Sequence, residues 1–156
     1  MKEEKKSKSA GMVDVGAKMV TDRTAVACAA IDLGPKAFRQ FLKRGSPKGN
    51  VLETARTAGI LAAKLTPQII PLCHPLELNK VNIDFKIDQK TFKITIIAYA
   101  GYRGKTGVEM EALTAATAAA LTIYDMMKWA DKGMTITDVK LLQKTGGKSG
   151  SFIRPE

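Results

Sequence analysis

A chain of 156 residues, 45% hydrophobic and free of long biased tracts, has the length of one globular domain with its own core. Its longest mainly apolar run contains Glu, Asp and Lys, which excludes a membrane span, and the N-terminal MKEEKKSKSAG lacks the apolar stretch of an export signal. The formal net charge is +10; four Lys and two Glu in residues 1–10 leave +8 on the remainder, a balance that favours anionic partners such as nucleotides, polyphosphates or nucleic acid. Cys28 and Cys73 are far apart, so reduced thiols and a cytoplasmic location are the expectation.

Residues 1–10 read as a solvated, disordered tail. Residues 12–18 (MVDVGAK) are too short to assign and are taken as an extended arm. Residues 24–33 (TAVACAAIDL) predict a strand, stopped by Gly34-Pro35. Pro35 suits the first turn of a short helix with Ala37, Phe38, Phe41 and Leu42 on its apolar face. Gly45-Ser46-Pro47-Lys48-Gly49 is a loop. Asn50 can cap the next helix with Glu53 at its third position, and Val51, Ala55, Ala58, Ala62 and Leu65 form its stripe.

Residues 67–75 (PQIIPLCHP) hold three prolines in nine positions, which argues against both helix and central strand. Val81, Ile83, Phe85 and Ile87 alternate with polar residues as in a half-buried strand. Asp88-Gln89-Lys90 turns the chain, and residues 91–100 (TFKITIIAYA) return as its hairpin partner. Residues 107–132 then predict one helix of ~26 residues, roughly 39 Å long. Thr106 would cap it, Glu109 would close a capping box, and Gly133 would take the left-handed position after it. Residues 135–142 (TITDVKLL) give a last strand; the basic TGGKSG at 145–150 and residues 151–156 read as flexible. The order is βαββαβ with two helices in the first crossover. The expected fold is therefore α+β and ferredoxin-like: one domain over 11–150, an antiparallel sheet and helices on one face.

The long helix is apolar on most of its surface, a pattern that calls for burial on more than one side, and a second subunit is one way to provide it. Its charges lie at the ends. Glu111 could serve the helix dipole, and Asp125 with Lys128 could be an ordinary surface pair. Alternatively, a carboxylate and an amine in a partly desolvated groove have pKa values suited to acid–base work. Glu111 and Asp125 stand ~21 Å apart along the axis and only about 40° around it. One small substrate cannot touch both ends of one helix, but two copies packed antiparallel about a two-fold axis would bring Glu111 of one to Asp125 of the other.

Other candidates are weaker. His74, the only histidine, lies beside Cys73 in the Pro-flanked loop. Adjacency in sequence does not put their tips in contact, so Cys73 lacks an evident base, and no second ligand pair supports zinc. Gly104-Lys105-Thr106 and Gly147-Lys148-Ser149 resemble the end of a P-loop, but Tyr99 and Leu142 stand where it needs its first glycine.

Residues 12–18 (MVDVGAK), 48–81 (from KGNVLETARTAG through IPLCHPLELNKV), 105–128 (KTGVEMEALTAATAAALTIYDMMK) and 141–150 (LLQKTGGKSG) closely resemble the MoaC family of molybdenum cofactor biosynthesis. The resemblance covers about residues 12 to 150, in order. It implies ferredoxin-like subunits in a hexamer, a trimer of dimers, with active sites at the dimer interface. The implied reaction converts (8S)-3′,8-cyclo-7,8-dihydroguanosine 5′-triphosphate to cyclic pyranopterin monophosphate and diphosphate. By motif, Asp125 is the implied acid/base and Lys128 its partner. Lys48 and Lys144 would surround the triphosphate, Leu72, Cys73 and His74 would form the substrate-binding loop, and Met110 with Glu111 a second binding segment. No cofactor or metal ligand is implied; whether Mg²⁺ travels with the triphosphate is left open, because no dedicated carboxylate cluster stands out. Partners would be the nucleotide-derived substrate and copies of the chain, with neither nucleic acid nor membrane. Asn50 replaces the family's usual Asp, and Met127 stands where Cys is common. The competing reading is a basic ferredoxin-like RNA-binding module, but residues 91–100 lack the aromatic pattern of such a strand.

Overall fold

A computed structural model describes residues 10–155. Five strands run antiparallel in the order β2-β3-β1-β4-β5: β1 (Thr21–Asp32), β2 (Lys80–Asp88), β3 (Lys93–Gly104), β4 (Thr135–Thr145) and β5 (Phe152–Ile153). Period-two patterning explains the strands. Ile94, Ile96, Ala98 and Ala100 of β3 are wholly buried, as are Ala25, Ala27, Ala29 and Ile31 of β1, and they form one face. The first four strands are connected as expected for a ferredoxin-like fold.

The first crossover holds three helices rather than two: α1 (Gly34–Arg44), α2 (Val51–Lys64) and the single turn α3 (Thr66–Ile69). Pro67 does not prevent α3, because in a first turn its missing N–H has no partner to lose. Asn50 caps α2 as expected, its side-chain oxygen accepting from the Glu53 N–H at 3.0 Å. Arg56 of α2 reaches the sheet, donating to the Ile83 carbonyl and lying over the Phe85 ring at 5.2 Å.

The long helix, α4 (Glu109–Met127), is shorter than expected, 19 residues rather than about 26. At its start the buried Val108 takes the cap position with no side-chain bond, and the Thr106–Glu109 capping box does not form. At its end the Tyr124 hydroxyl donates to the Lys132 carbonyl at 2.9 Å and folds the chain back. Ala130 and Met134 are thereby buried, and Gly133 donates to the Asp131 carboxylate instead of closing the helix. β5 is a further departure: Phe152 pairs with Lys144, and Ile153 with Gln143, in residues expected to be flexible. Of the expected disordered tail, residues 1–9 lie outside the described residues.

α4 packs against both the sheet, mainly β1 and β3, and α2, which itself also rests on β2. Ala112, Ala115, Ala116, Ala119 and Ala120 have no exposed surface, so both neighbours approach its backbone closely. Gly59 of α2 permits this: a Cβ there would lie 2.8 Å from the Ala115 carbonyl and also meet the Ile83 side chain. Among the described residues no helix is long and apolar enough to cross a membrane. Gly59→Val should force the two helices apart and cost about 3 kcal/mol, read as a lowered urea midpoint with an unchanged slope.

Candidate active site

The chemistry-bearing residues form two groups, one at each end of α4. At the N-terminal end a cavity of about 280 Å³ is walled by three segments. The loop after α3 contributes Leu72, Cys73 and His74, the start of α4 contributes Glu109, Met110 and Glu111, and the arm contributes Val13, Val15 and Lys18. Residues implied separately by the PLCHP and VEMEAL strings therefore share one cavity. The arm is pinned at two points. His74 Nε2–H donates to the Val13 carbonyl at 2.8 Å, which leaves Nδ1 of a neutral ring as an acceptor, and the Lys105 ammonium donates to the Gly16 carbonyl at 2.6 Å.

Glu111 is 2% exposed. Burial penalises its charged form and pushes its pKa up to about 7; its own backbone N–H opposes the rise, and the nearby Glu109 charge adds to it. The Cys73 thiol is also raised, first by burial and then by Glu111, the opposite of what activates a nucleophile. Glu109, expected only as a cap, lines the cavity instead.

Lys144 lies at this same end of the sheet, opposite Ala25 of β1, and its ammonium meets the Ser149 hydroxyl. The loop beyond it passes against Arg23, whose Nε donates to the Gly104 carbonyl at 3.0 Å. Gly146 and Gly147 have φ of +89° and +79°, and side chains there would strike Asp22 and the Arg23 guanidinium. Arg23 carried no signal in the sequence beyond its charge. Lys18 and Lys105, by contrast, lie within strings that the family resemblance had already marked.

The other group, some 21 Å along the helix, is centred on Asp125. Lys48 reaches one carboxylate oxygen at 2.6 Å and Lys128 the other at 2.8 Å, all three side chains being about half exposed. The hydrogen bond from Lys128, then that from Lys48, lowers the Asp125 pKa to about 2, and the pairing raises that of Lys128 in turn. Two ammonium groups on one carboxylate leave a net positive, solvent-accessible centre suited to phosphate oxygens. Thus the structure joins Lys48, Asp125 and Lys128, and separately Leu72, Cys73, His74, Met110 and Glu111. It does not join the two groups within one chain. Between them runs a partly open stripe of α4 with Thr114, Ala118 and Leu121, the last 59% exposed.

The sequence pattern of the MoaC family matches residues 12–147 of this chain. Similar proteins include the cyclic pyranopterin monophosphate synthase of Rhodospirillum rubrum, 52% identical over 144 residues, which cover 92% of this chain and 87% of that protein. The synthase of Desulfatibacillum aliphaticivorans is 54% identical over 142 residues, 91% of this chain and 89% of the relative. That of Staphylococcus carnosus is 50% identical over 147 residues, 94% and 91% of the two chains.

The raised Glu111 pKa has a definite linkage sign. Between the ordinary carboxylate range and about 7 the folded state holds a proton that the unfolded chain releases, so this group's contribution is full below pH ~4.5 and lost as pH rises through ~7. Urea midpoints at pH 5 and pH 8 should show a loss on the order of 3 kcal/mol from this source, and Glu111→Gln should abolish it.

Proposed function

Because the chain belongs to the MoaC family, we propose that it is a cyclic pyranopterin monophosphate synthase, a diphosphate-releasing lyase of molybdenum cofactor biosynthesis. Its substrate is a small nucleotide-derived molecule, the cyclised guanosine triphosphate. The observation that carries the residue assignments is the Lys48–Asp125–Lys128 centre.

In this reading Asp125 is the acid/base and Lys128 its partner. While both lysines bear on it, Asp125 stays ionised at neutral pH and is held a weak base. An incoming triphosphate competes for the same ammonium groups. As they turn to phosphate oxygens, the carboxylate loses the hydrogen bonds that depress its pKa and becomes a stronger base toward a substrate proton. One group thus both accepts and returns protons during the purine-ring rearrangement. Loss of diphosphate develops negative charge, which Lys48 and Lys144 stabilise.

The N-terminal cavity takes the guanine-derived end. Its size suits a heterocycle, and the Glu111 carboxylate accepts from amino and ring N–H groups. Leu72, Cys73, His74 and Met110 complete its wall. Since the two groups lie at opposite ends of α4, a complete site needs the cavity of one chain and the Asp125 centre of another. The reading therefore includes a dimer-built hexamer, a trimer of dimers, and the open stripe bearing Leu121 supports contact along α4. No resident cofactor belongs to the reading, and use of a nucleotide-derived substrate supports a cytoplasmic location.

Purified protein given the cyclised guanosine triphosphate should release diphosphate and yield a product that oxidises to a fluorescent pterin. Asp125→Asn and Lys128→Ala should each slow turnover about 100- to 10,000-fold with the oligomer intact. Near-native turnover in both would overturn the assignment. Assembling an inactive Glu111→Ala chain with an inactive Asp125→Asn chain should restore part of the activity. No recovery in mixed oligomers, verified by differential tags, would rule out the shared site.

A further inference from the structure

Lys48 projects from an exposed loop between two glycines in left-handed conformations, Gly45 at φ +67° and Gly49 at φ +115°. Nothing lies within 4 Å of where a side chain at either glycine would begin, so packing at these positions does not fix the loop. An exposed lysine–aspartate pair is weak by itself, since solvent screens it and the long side chain must be immobilised. Something else must hold Lys48 over Asp125.

The end of α4 supplies the anchor. The last carbonyls of a helix lose their intrahelical partners. The Met126 carbonyl would normally receive the N–H of Ala130, but that N–H goes to Met127 at 2.9 Å. The Ser46 hydroxyl takes its place, donating to the Met126 carbonyl at 2.7 Å. The same hydroxyl accepts the Lys48 N–H at 3.1 Å, and the Ser46 carbonyl accepts the Gly49 N–H at 3.1 Å. One side chain therefore ties the helix bearing Asp125 to the backbone of the residue that reaches it. Among the described residues, Ser46–Met126 and Lys48–Asp125 are the hydrogen bonds joining this loop to α4.

We propose that Ser46 is a positioning residue: its hydroxyl, shared between the Met126 carbonyl and the Lys48 N–H, sets the loop so that the Lys48 ammonium bears on Asp125. For its effect on turnover, this inference rests on the reading of Asp125 as the acid/base. Its effect on the resting protein does not. The Ser46 hydroxyl bonds to the Met126 carbonyl and the Lys48 N–H rather than to Asp125, so it acts by fixing where Lys48 starts.

The test compares wild type with Ser46→Ala, Ser46→Thr and Lys48→Ala. In the unliganded protein the Asp125 carboxylate carbon is followed by NMR from pH 7 down to about pH 1, below the midpoint near 2, with folding checked by circular dichroism at each point. Ser46→Ala should raise the Asp125 titration midpoint by about 0.5–1 pH unit, in the same direction as Lys48→Ala, because one of its two ammonium partners loosens. Ser46→Thr keeps the hydroxyl and should titrate like wild type. Diphosphate release should fall about tenfold in kcat/KM for Ser46→Ala and recover in Ser46→Thr, about one factor of ten in transition-state stabilisation. An Asp125 titration unchanged in Ser46→Ala overturns the positioning role, whatever the activity. Wild-type protein that releases no diphosphate overturns the functional reading, while the titration still decides the role of Ser46.

Discussion

The close packing of α4 against both the sheet and α2 is the constraint on which the molecule depends. Five alanines without exposed surface let the helix settle against β1 and β3, and Gly59 lets α2 approach the Ala115 carbonyl. Neighbours this close leave little freedom to translate or rotate the helix. Every group that α4 carries at its ends is therefore held in a defined relation to the loops around it, and those loops supply the remaining candidate site side chains.

The two ends use this rigidity in opposite ways. At the N-terminus Glu111 is drawn into the interior beside Cys73, and the cost of burying charge drives its pKa up to about 7. At the C-terminus Asp125 is left half exposed, and two ammonium groups hold its pKa down to about 2. One helix thus presents two carboxylates whose pKa values are pushed in opposite directions, set by environment rather than by residue type. Their separation prevents direct competition within a chain. It also makes the single chain chemically incomplete, so assembly and catalysis become one problem in the proposed reading.

Loops of different character surround these ends. The prolines that interrupt residues 67–75 make a stiff wall for the cavity, and α3 turns the chain into that wall. The arm is fixed by two side chains donating to its carbonyls, so its local sequence shows no regular structure even though its place is defined. Around Asp125 the constraint is finer: a hydroxyl satisfies a helix-end carbonyl and at the same time steadies the loop that delivers a lysine.

Much of this could be read in the chain itself. Alternation in residues 81–87, the Asn50 cap and the alanine-rich helix are local patterns, and local sterics and hydrogen bonding bring about the elements they predict. Asp125 and Lys128 could be paired from their spacing on a helix, whereas Lys48, Leu72 and Lys144 were identified only by family resemblance. The helix ends were misread because burial and a side-chain bond override the local capping pattern: buried Val108 sets the start, and the Tyr124 bond to Lys132 sets the fold-back. β5 was missed because a two-residue strand has no period of its own and exists only by pairing with β4. The sequence by itself determined the four main strands, the helices α1, α2 and α4 and their order, since these follow from neighbours along the chain. Only the tertiary structure decided which groups are buried, which ammonium groups share the Asp125 carboxylate and where Arg23, Lys105 and Ser46 act. Desolvation and charge pairing depend on contacts between residues as far apart as Lys48 and Asp125, and no local pattern encodes them.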